Sequence, residues 1–132
     1  MYEKRRMDKE QVDAIRPKDI VMFLNSPLAK RMKRAKSLNR LFREQPFVIG
    51  MPQDGEMILV QGIIDAYFTE DDGITIVDYK TDRVSNDEML INRYRAQLEY
   101  YGKALSQITG RPIKALTIYS SCLQREIIIP SL

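Results

Sequence analysis

Two runs of β-branched residues, 62–65 and 74–80, flank the turn Glu70-Asp71-Asp72-Gly73, and charges interrupt both runs. Ile63, Ile64, Ile74, Ile76 and Val77 suit a buried strand pair. Asp65, Asp78 and Lys80 do not, because burying charge is costly unless it is paired or bound to a metal. A polar turn ending in Gly between two such runs predicts a hairpin. A loop of two residues (71–72) or four (70–73) gives the same register, and that register sets Asp65 directly opposite Asp78. Residues so opposed have Cβ atoms about 5 Å apart, where like charges repel. A divalent cation between them would turn that repulsion into binding energy. Asp78 and Lys80 are two apart on one strand, so they share a face. A three-residue loop would shift the register by one and separate the group.

The remaining pattern places this hairpin in an α/β domain. Residues 8–15 fit a short helix behind a charged, frayed start. Pro17 fits the first position of a second helix, and Ser26-Pro27 the start of a third over 28–37, with Ser as N-cap. That third helix carries Lys30, Arg31, Lys33, Arg34 and Lys36 around an apolar stripe of Leu28, Met32 and Ala35. Its basic residues read equally as phosphate contacts or as a solvated face. Residues 41–49 alternate as a strand, with Pro46 pointing to an edge or a bulge. Residues 52–56 read as a turn, and 57–69 and 74–80 as the hairpin strands. Residues 86–108 hold the longest helical pattern, with Asn86 as N-cap and Leu90, Tyr94, Leu98, Tyr101 and Leu105 on the sheet-facing side. Gly110 and Pro112 end it. Strands at 113–120 and 124–129 follow, so the long helix is a crossover that brings the fourth strand parallel to an earlier one.

The 132 residues, with 44% apolar and 30% charged side chains, suit one soluble domain with a real core. The formal net charge of +3 is compatible with a polyanionic partner. No run is long enough to span a membrane, and the charged start does not read as a signal peptide. The single cysteine, Cys122, cannot form an internal disulfide, which fits a reducing, cytoplasmic setting. It falls in a strand-like stretch and reads as a buried, inert thiol. The absence of histidine removes Ser-His and Cys-His catalysis and His-ligated zinc. Any chemistry must run on carboxylates, lysine and metal-bound water.

Two carboxylates and a backbone carbonyl, that of Tyr79, suit a hard cation such as Mg²⁺ (or Mn²⁺ in its place), which prefers oxygen and keeps several waters. Such an ion can activate water against a phosphodiester, and Lys80 can orient that water and stabilise developing charge. The plainer reading is an ordinary salt bridge between Lys80 and either acid. Arg43-Glu44 point toward the same region, with Glu44 read as a surface ion pair or, less simply, a third ligand. Gln97 and Tyr101 lie one helical turn apart on one face. They read either as support for the site or as a surface amide beside a core aromatic.

The set Gly62-Ile-Ile-Asp65, Asp78-Tyr-Lys80-Thr-Asp82 and Gln97-Leu-Glu-Tyr-Tyr101 resembles the RecB-family nuclease domain of the PD-(D/E)xK nucleases, over roughly residues 17–129. Arg43-Glu-Gln-Pro-Phe47 and Gln61-Gly-Ile-Ile-Asp65 make it most similar to the C-terminal end of AddA-type helicase–nuclease chains. The resemblance implies a restriction-endonuclease-like mixed sheet: three antiparallel strands, a long crossover helix and a further strand, with helices at the N-terminus. It implies a metal-dependent DNA exonuclease that processes double-strand breaks for recombinational repair. Asp65 and Asp78 would be Mg²⁺ ligands, Lys80 the catalytic lysine, and Gln97, Tyr101 and Arg43 DNA or site support. The implied partners are DNA, an AddB-like subunit and the helicase part of a longer chain. In the family a helix upstream of these strands bears a metal-binding histidine; this chain has no histidine and no phosphate-binding P-loop. Residues 1–132 are therefore expected to be a single nuclease domain cut from a larger chain after that helix, weakly active alone. A small nuclease with a degenerate first motif is the alternative origin. A non-catalytic module that binds DNA or a partner subunit is the alternative function, and a structural ferredoxin-like module would leave the opposed acids unexplained.

Overall fold

A computed structural model describes residues 17–130. The helix expected at 8–15 lies outside the described residues. Two helices open the described chain, α1 (Pro17–Leu24) and α2 (Pro27–Ser37). Ser26 caps α2 as its sequence requires: its backbone is extended and its Oγ accepts the Ala29 N–H at 3.1 Å. Leu28, Met32 and Ala35 form the buried stripe of that helix.

Five strands follow in one sheet: β1 (Leu41–Gln53), β2 (Glu56–Glu70), β3 (Gly73–Lys80), β4 (Ile113–Ser120) and β5 (Arg125–Ile128), in that spatial order. The β1–β2, β2–β3 and β4–β5 pairs are antiparallel, and β3–β4 is parallel. A long helix, α3 (Asp87–Thr109), makes the crossover between β3 and β4. Asn86 caps its start by accepting the Met89 N–H, and Gly110 ends it in the left-handed conformation, φ 71°. This is the restriction-endonuclease-like α/β arrangement expected from the sequence.

The sheet is covered on both faces. Against α3 lie Phe47, Ile49, Ile64, Tyr67, Ile76 and Ile118, with Leu90, Leu98 and Leu105 from the helix. Against α1 and α2 lie Ala66, Phe68, Val77 and Tyr119. Double coverage explains why β3 is a continuous apolar run rather than an alternating one.

Two expectations from the sequence change. The first strand runs on to Gln53, leaving a two-residue Asp54-Gly55 turn in place of the turn expected at 52–56. Both turn residues have positive φ, 52° and 80°, the geometry that keeps a tight hairpin in step with strand twist. Pro46 and Pro52 are accommodated because β1 is an edge strand. Cys122, expected in a strand and buried, is exposed in the turn at 121–124, near the Val84 carbonyl.

The central hairpin closes with the two-residue loop Asp71-Asp72, pairing Glu70 with Gly73. Gly73 has φ 140°, and a Cβ there would meet the Pro112 carbonyl oxygen at 2.8 Å. The β2–β3 ladder runs in frame to Ala66↔Val77 and ends there, although β2 continues against β1. The sheet therefore forks at the next rung, Asp65 and Asp78.

Candidate active site

The fork is accompanied by a switch in side-chain direction. On β1, Leu41 packs on the α1–α2 side, whereas Phe47 and Ile49, an even number of residues away, pack on the α3 side. On β2, Ala66 and Phe68 face one core and Ile64 the other. Unbroken strands alternate with period two, so each strand must turn over between these positions. The β1–β2 ladder lacks one rung, between Arg43↔Ala66 and Gln45↔Ile64. That rung is Glu44 and Asp65, and Glu44 has φ 48°. A non-glycine residue in this conformation is strained by about 1–2 kcal/mol and marks a local bulge-like break in the pairing.

Asp65 sits at the break. Its Oδ2 accepts the Tyr79 N–H at 3.0 Å, taking the place of the ladder partner that the fork removes. In an extended strand the N–H and C=O of a residue point to the same side, so the Tyr79 carbonyl opens onto the same fork. Asp78 is 4% exposed and projects to the α3 side, in register with Ile118 of β4. Lys80 Nζ stands 3.2 Å from Asp78 Oδ2. That separation makes a largely buried ion pair. Burial first, and the nearby Asp65 carboxylate second, push the Asp78 pKa up to about 7, against the pull of Lys80.

These groups suit a hard cation. They supply oxygen ligands from two mutually repelling carboxylates, one of them buried. Among the described residues no group of three His, Cys, Asp or Glu is assembled for a metal. Mg²⁺ needs fewer protein ligands than that, since it retains several waters.

Tyr101 borders the acids. Burial, then the charges of Asp78 and Asp65, push its phenol up to about 12. The exposed Gln97 amide donates to Tyr101 Oη at 2.9 Å, so Tyr101 is a core aromatic whose hydroxyl a surface amide orients. The Tyr101 ring packs edge-on to Phe47 at 5.3 Å. A Cβ at Gly62 would lie 3.1 Å from the Phe47 ring and 3.6 Å from that of Tyr101. Gly62 is thus the space that lets both rings close over β2 beside the acids.

Arg43 is exposed and acts on the Tyr79 phenol, which packs against Phe23 and Met32 on the α1–α2 face. No ion pair joins Arg43 to either acid among the described residues. Glu44 is exposed and, among the described residues, lacks the surface ion pair expected of it.

The cage around Lys80 is not foreshadowed in the sequence. Its ammonium lies 4.1 Å from the centroid of the Tyr94 ring. Tyr94 Oη donates to Asp82 Oδ2 at 2.7 Å, and Arg93 holds the same oxygen at 2.9 Å. Burial first, then the bond to Asp82, push the Tyr94 phenol up to about 12. Asp82 stands in the Asp-Tyr-Lys-Thr-Asp run and Tyr94 on the sheet-facing stripe, but nothing in their spacing joins them. A groove along α3 and β4, lined by Tyr100, Lys103, Ile113 and Leu116, contains none of these groups.

The sequence profile of the PD-(D/E)XK nuclease superfamily matches residues 5–126. An ATP-dependent helicase/nuclease subunit of Acetivibrio thermocellus is 42% identical over 90% of this chain and 10% of its own length. The protein of the same name from Anoxybacillus flavithermus is 41% identical over 86% of this chain and 10% of its own. That of Lachnoclostridium phytofermentans is 33% identical over 95% and 12%. The chain thus spans about a tenth of the length of the curated relatives it matches. Among solved structures, the crystal structure of SSO0001 superposes with a TM-score of 0.52 at 16% identity, over 86% of this chain and 57% of that one. This likeness is one of fold.

Proposed function

This chain belongs to the PD-(D/E)XK nuclease superfamily, and from that premise we propose that it is a metal-dependent deoxyribonuclease domain whose working groups are Asp65, Asp78 and Lys80. One observation carries the reading: two carboxylates meet at the fork of the sheet, one of them buried, and a lysine pairs with the buried one at 3.2 Å. Asp65, Asp78 and the Tyr79 carbonyl would hold Mg²⁺, with Mn²⁺ as a substitute. When bound, the ion supplies charge neutralisation at the scissile phosphate and a lowered water pKa.

The chain's own groups do the rest. Asp65, fixed by the Tyr79 N–H, presents its second oxygen to the fork. Asp78 is held against the apolar α3 face, where low polarity strengthens its attraction for any cation. Lys80 is anchored between the Asp78 carboxylate and the Tyr94 ring, so its remaining N–H groups can orient the attacking water and stabilise charge on the phosphoryl oxygens. Gln97 and Tyr101 brace the wall beside the acids, and Arg43 meets the nucleic acid outside them.

The name shared by the relatives supports a wider role, as the nuclease domain of an ATP-dependent helicase–nuclease. In that role it acts as an exonuclease at double-strand breaks, beside a helicase region and an AddB-like subunit, in the cytoplasm. No helix among the described residues is long and apolar enough to cross a membrane.

Calorimetric titration with Mn²⁺, paired with cleavage of end-labelled DNA in Mg²⁺, tests the site. The expected result is binding that is lost in Asp65→Ala and Asp78→Ala, with any cleavage lost in Asp78→Ala and Lys80→Ala. Absence of metal binding by the wild-type chain would instead favour a non-catalytic module that holds DNA or a partner subunit.

A further inference from the structure

We propose that the outer face of α2 is a docking rail for the sugar–phosphate backbone of duplex DNA, separate from the acid pair. The inference rests on DNA being the substrate. The helix carries Lys30, Arg31, Lys33, Arg34 and Lys36 and no acidic residue. Only Arg31 is used internally: it bonds Glu70 at 2.6 Å and lies over the Phe68 ring. Lys30, Lys33, Arg34 and Lys36 are exposed and form no ion pair among the described residues. Elsewhere among the described residues Arg40, Lys80, Arg93, Arg95, Lys114 and Arg125 each face a carboxylate, and the remaining cations without an ion pair, Lys18, Arg43, Arg83, Lys103 and Arg111, are scattered rather than gathered on one helix.

The four are one connected row. Lys30 is three and four residues from Lys33 and Arg34, and Lys33 is three from Lys36, so each lies beside another on the helix surface. Like charges so placed repel, and Lys30 also sits near the positive end of the helix dipole. Arg34 and Lys36 suit the negative end of the helix dipole, but the crowding of Lys30, Lys33 and Arg34 is met by no carboxylate among the described residues, whereas a polyanion gains from every member. The row extends about 9 Å along the axis, enough to meet successive phosphates of one strand.

The mounting is firm and well placed. Leu28, Met32 and Ala35 are buried beneath the row. Met32 Sδ lies 3.8 Å from the hydroxyl of Tyr79, the residue between Asp78 and Lys80. The rail therefore sits on the reverse side of β3, the strand that carries Asp78 and Lys80. The exposed residues of α2 include no aromatic on which an unpaired base could stack. That favours duplex backbone over single strand, and positioning over sequence reading.

The test is binding of the 132-residue chain to a labelled 20-base-pair duplex in EDTA, where nothing is cleaved, between 50 and 200 mM KCl. Lys30→Gln/Lys33→Gln/Arg34→Gln is compared with Lys103→Gln/Arg111→Gln/Arg125→Gln, each lowering the formal net charge of +3 by three. At about 0.9 per phosphate, the rail variant should flatten the log–log salt slope by about 2.7, so that the wild type loses roughly 40-fold more affinity than the variant does across this range. The control variant should change the slope by less than about 1. Equal effects in the two variants, an unchanged slope in the rail variant, or no duplex binding by the wild type at 50 mM KCl would each overturn the proposal. Mn²⁺ titration of the same proteins separates it from the acid-site reading. Metal binding with an unchanged rail slope sinks the rail alone, and a flattened slope without metal binding sinks the site alone.

Discussion

Replacing Asp78 with asparagine should remove a pH dependence built into the metal-free fold. Asp78 in the folded chain keeps its proton up to about pH 7, against an ordinary value of 3.8. The unfolded chain releases it near the ordinary value. Between those pH values the folded state binds more protons, so unfolding free energy falls as pH rises. The stability tied to the neutral carboxyl is fully present below about pH 4 and is lost as pH passes through 7. The difference of 7 and 3.8 corresponds to about 4 kcal/mol at 1.36 kcal/mol per unit. An amide in this position cannot ionise, so Asp78→Asn should match the wild type near pH 4 and exceed it by several kcal/mol at pH 8. Urea unfolding in EDTA, followed by circular dichroism, reads this as a midpoint difference that opens to about 2 M. Glu70, held at about 2 mainly by Arg31, contributes with the opposite sign and at lower pH, but it is common to both proteins and cancels in the difference. A difference that stays flat from pH 4 to 8, or that closes with rising pH, would refute the crowding of Asp78 against apolar surface and Asp65.

Gly62→Ala should cost about 1–3 kcal/mol in the same unfolding assay, because the added Cβ lies 3.1 Å from the Phe47 ring in a packed core; it should also weaken Mn²⁺ binding by displacing Tyr101, and an unchanged urea midpoint would show that Gly62 is not a spacing residue. Tyr94→Phe keeps the ring beneath Lys80 and should retain most of the Mg²⁺-dependent kcat, whereas Tyr94→Leu should lower kcat by about tenfold with Mn²⁺ affinity unchanged, as expected for loss of a partly desolvated cation–π contact; equal kcat in the two variants would remove Tyr94 from the positioning of Lys80.

The parts of this molecule that were legible in the sequence are those governed by local rules. Ser26, Asn86 and Gly110 mark helix ends because caps act within one turn. The frame of the central hairpin, from Glu70↔Gly73 to Ala66↔Val77, was legible because a two-residue loop fixes pairing, but the ladder stops one rung short of Asp65 and Asp78, and the period-two alternation of β2 breaks between Ile64 and Ala66. What stayed hidden depends on tertiary placement. Glu44 has a side chain that disfavours φ 48°, so nothing local announces that β1 turns over there. The spacing of Tyr94 predicts that it faces the sheet, but its contact with Lys80 depends on how far α3 is rotated over β3, which no spacing encodes. Cys122 lies in Ser-Cys-Leu-Gln, apolar enough to read as strand, and only the position of the β4–β5 turn exposes it.

The fork also explains why three separated motifs belong to one site. β2 has 15 residues and β3 has 8, so β3 cannot accompany β2 to its far end. Where the two part, the Tyr79 N–H loses its ladder partner, and an unpaired buried donor is costly. The Asp65 carboxylate satisfies it with a charge-assisted bond, which fixes that acid at the parting. The next residue inward on β3 must then be the facing acid, Asp78, and two further along the same strand, Lys80 shares its face. Beyond the fork the widening gap between β2 and β3 needs a cover, and α3 supplies Tyr101, admitted by the missing side chain of Gly62 and oriented by Gln97. A Gly three residues before one acid, a Lys two after the other and a Gln–Tyr pair on the crossover helix are thus consequences of one geometric event, the early end of the β2–β3 ladder.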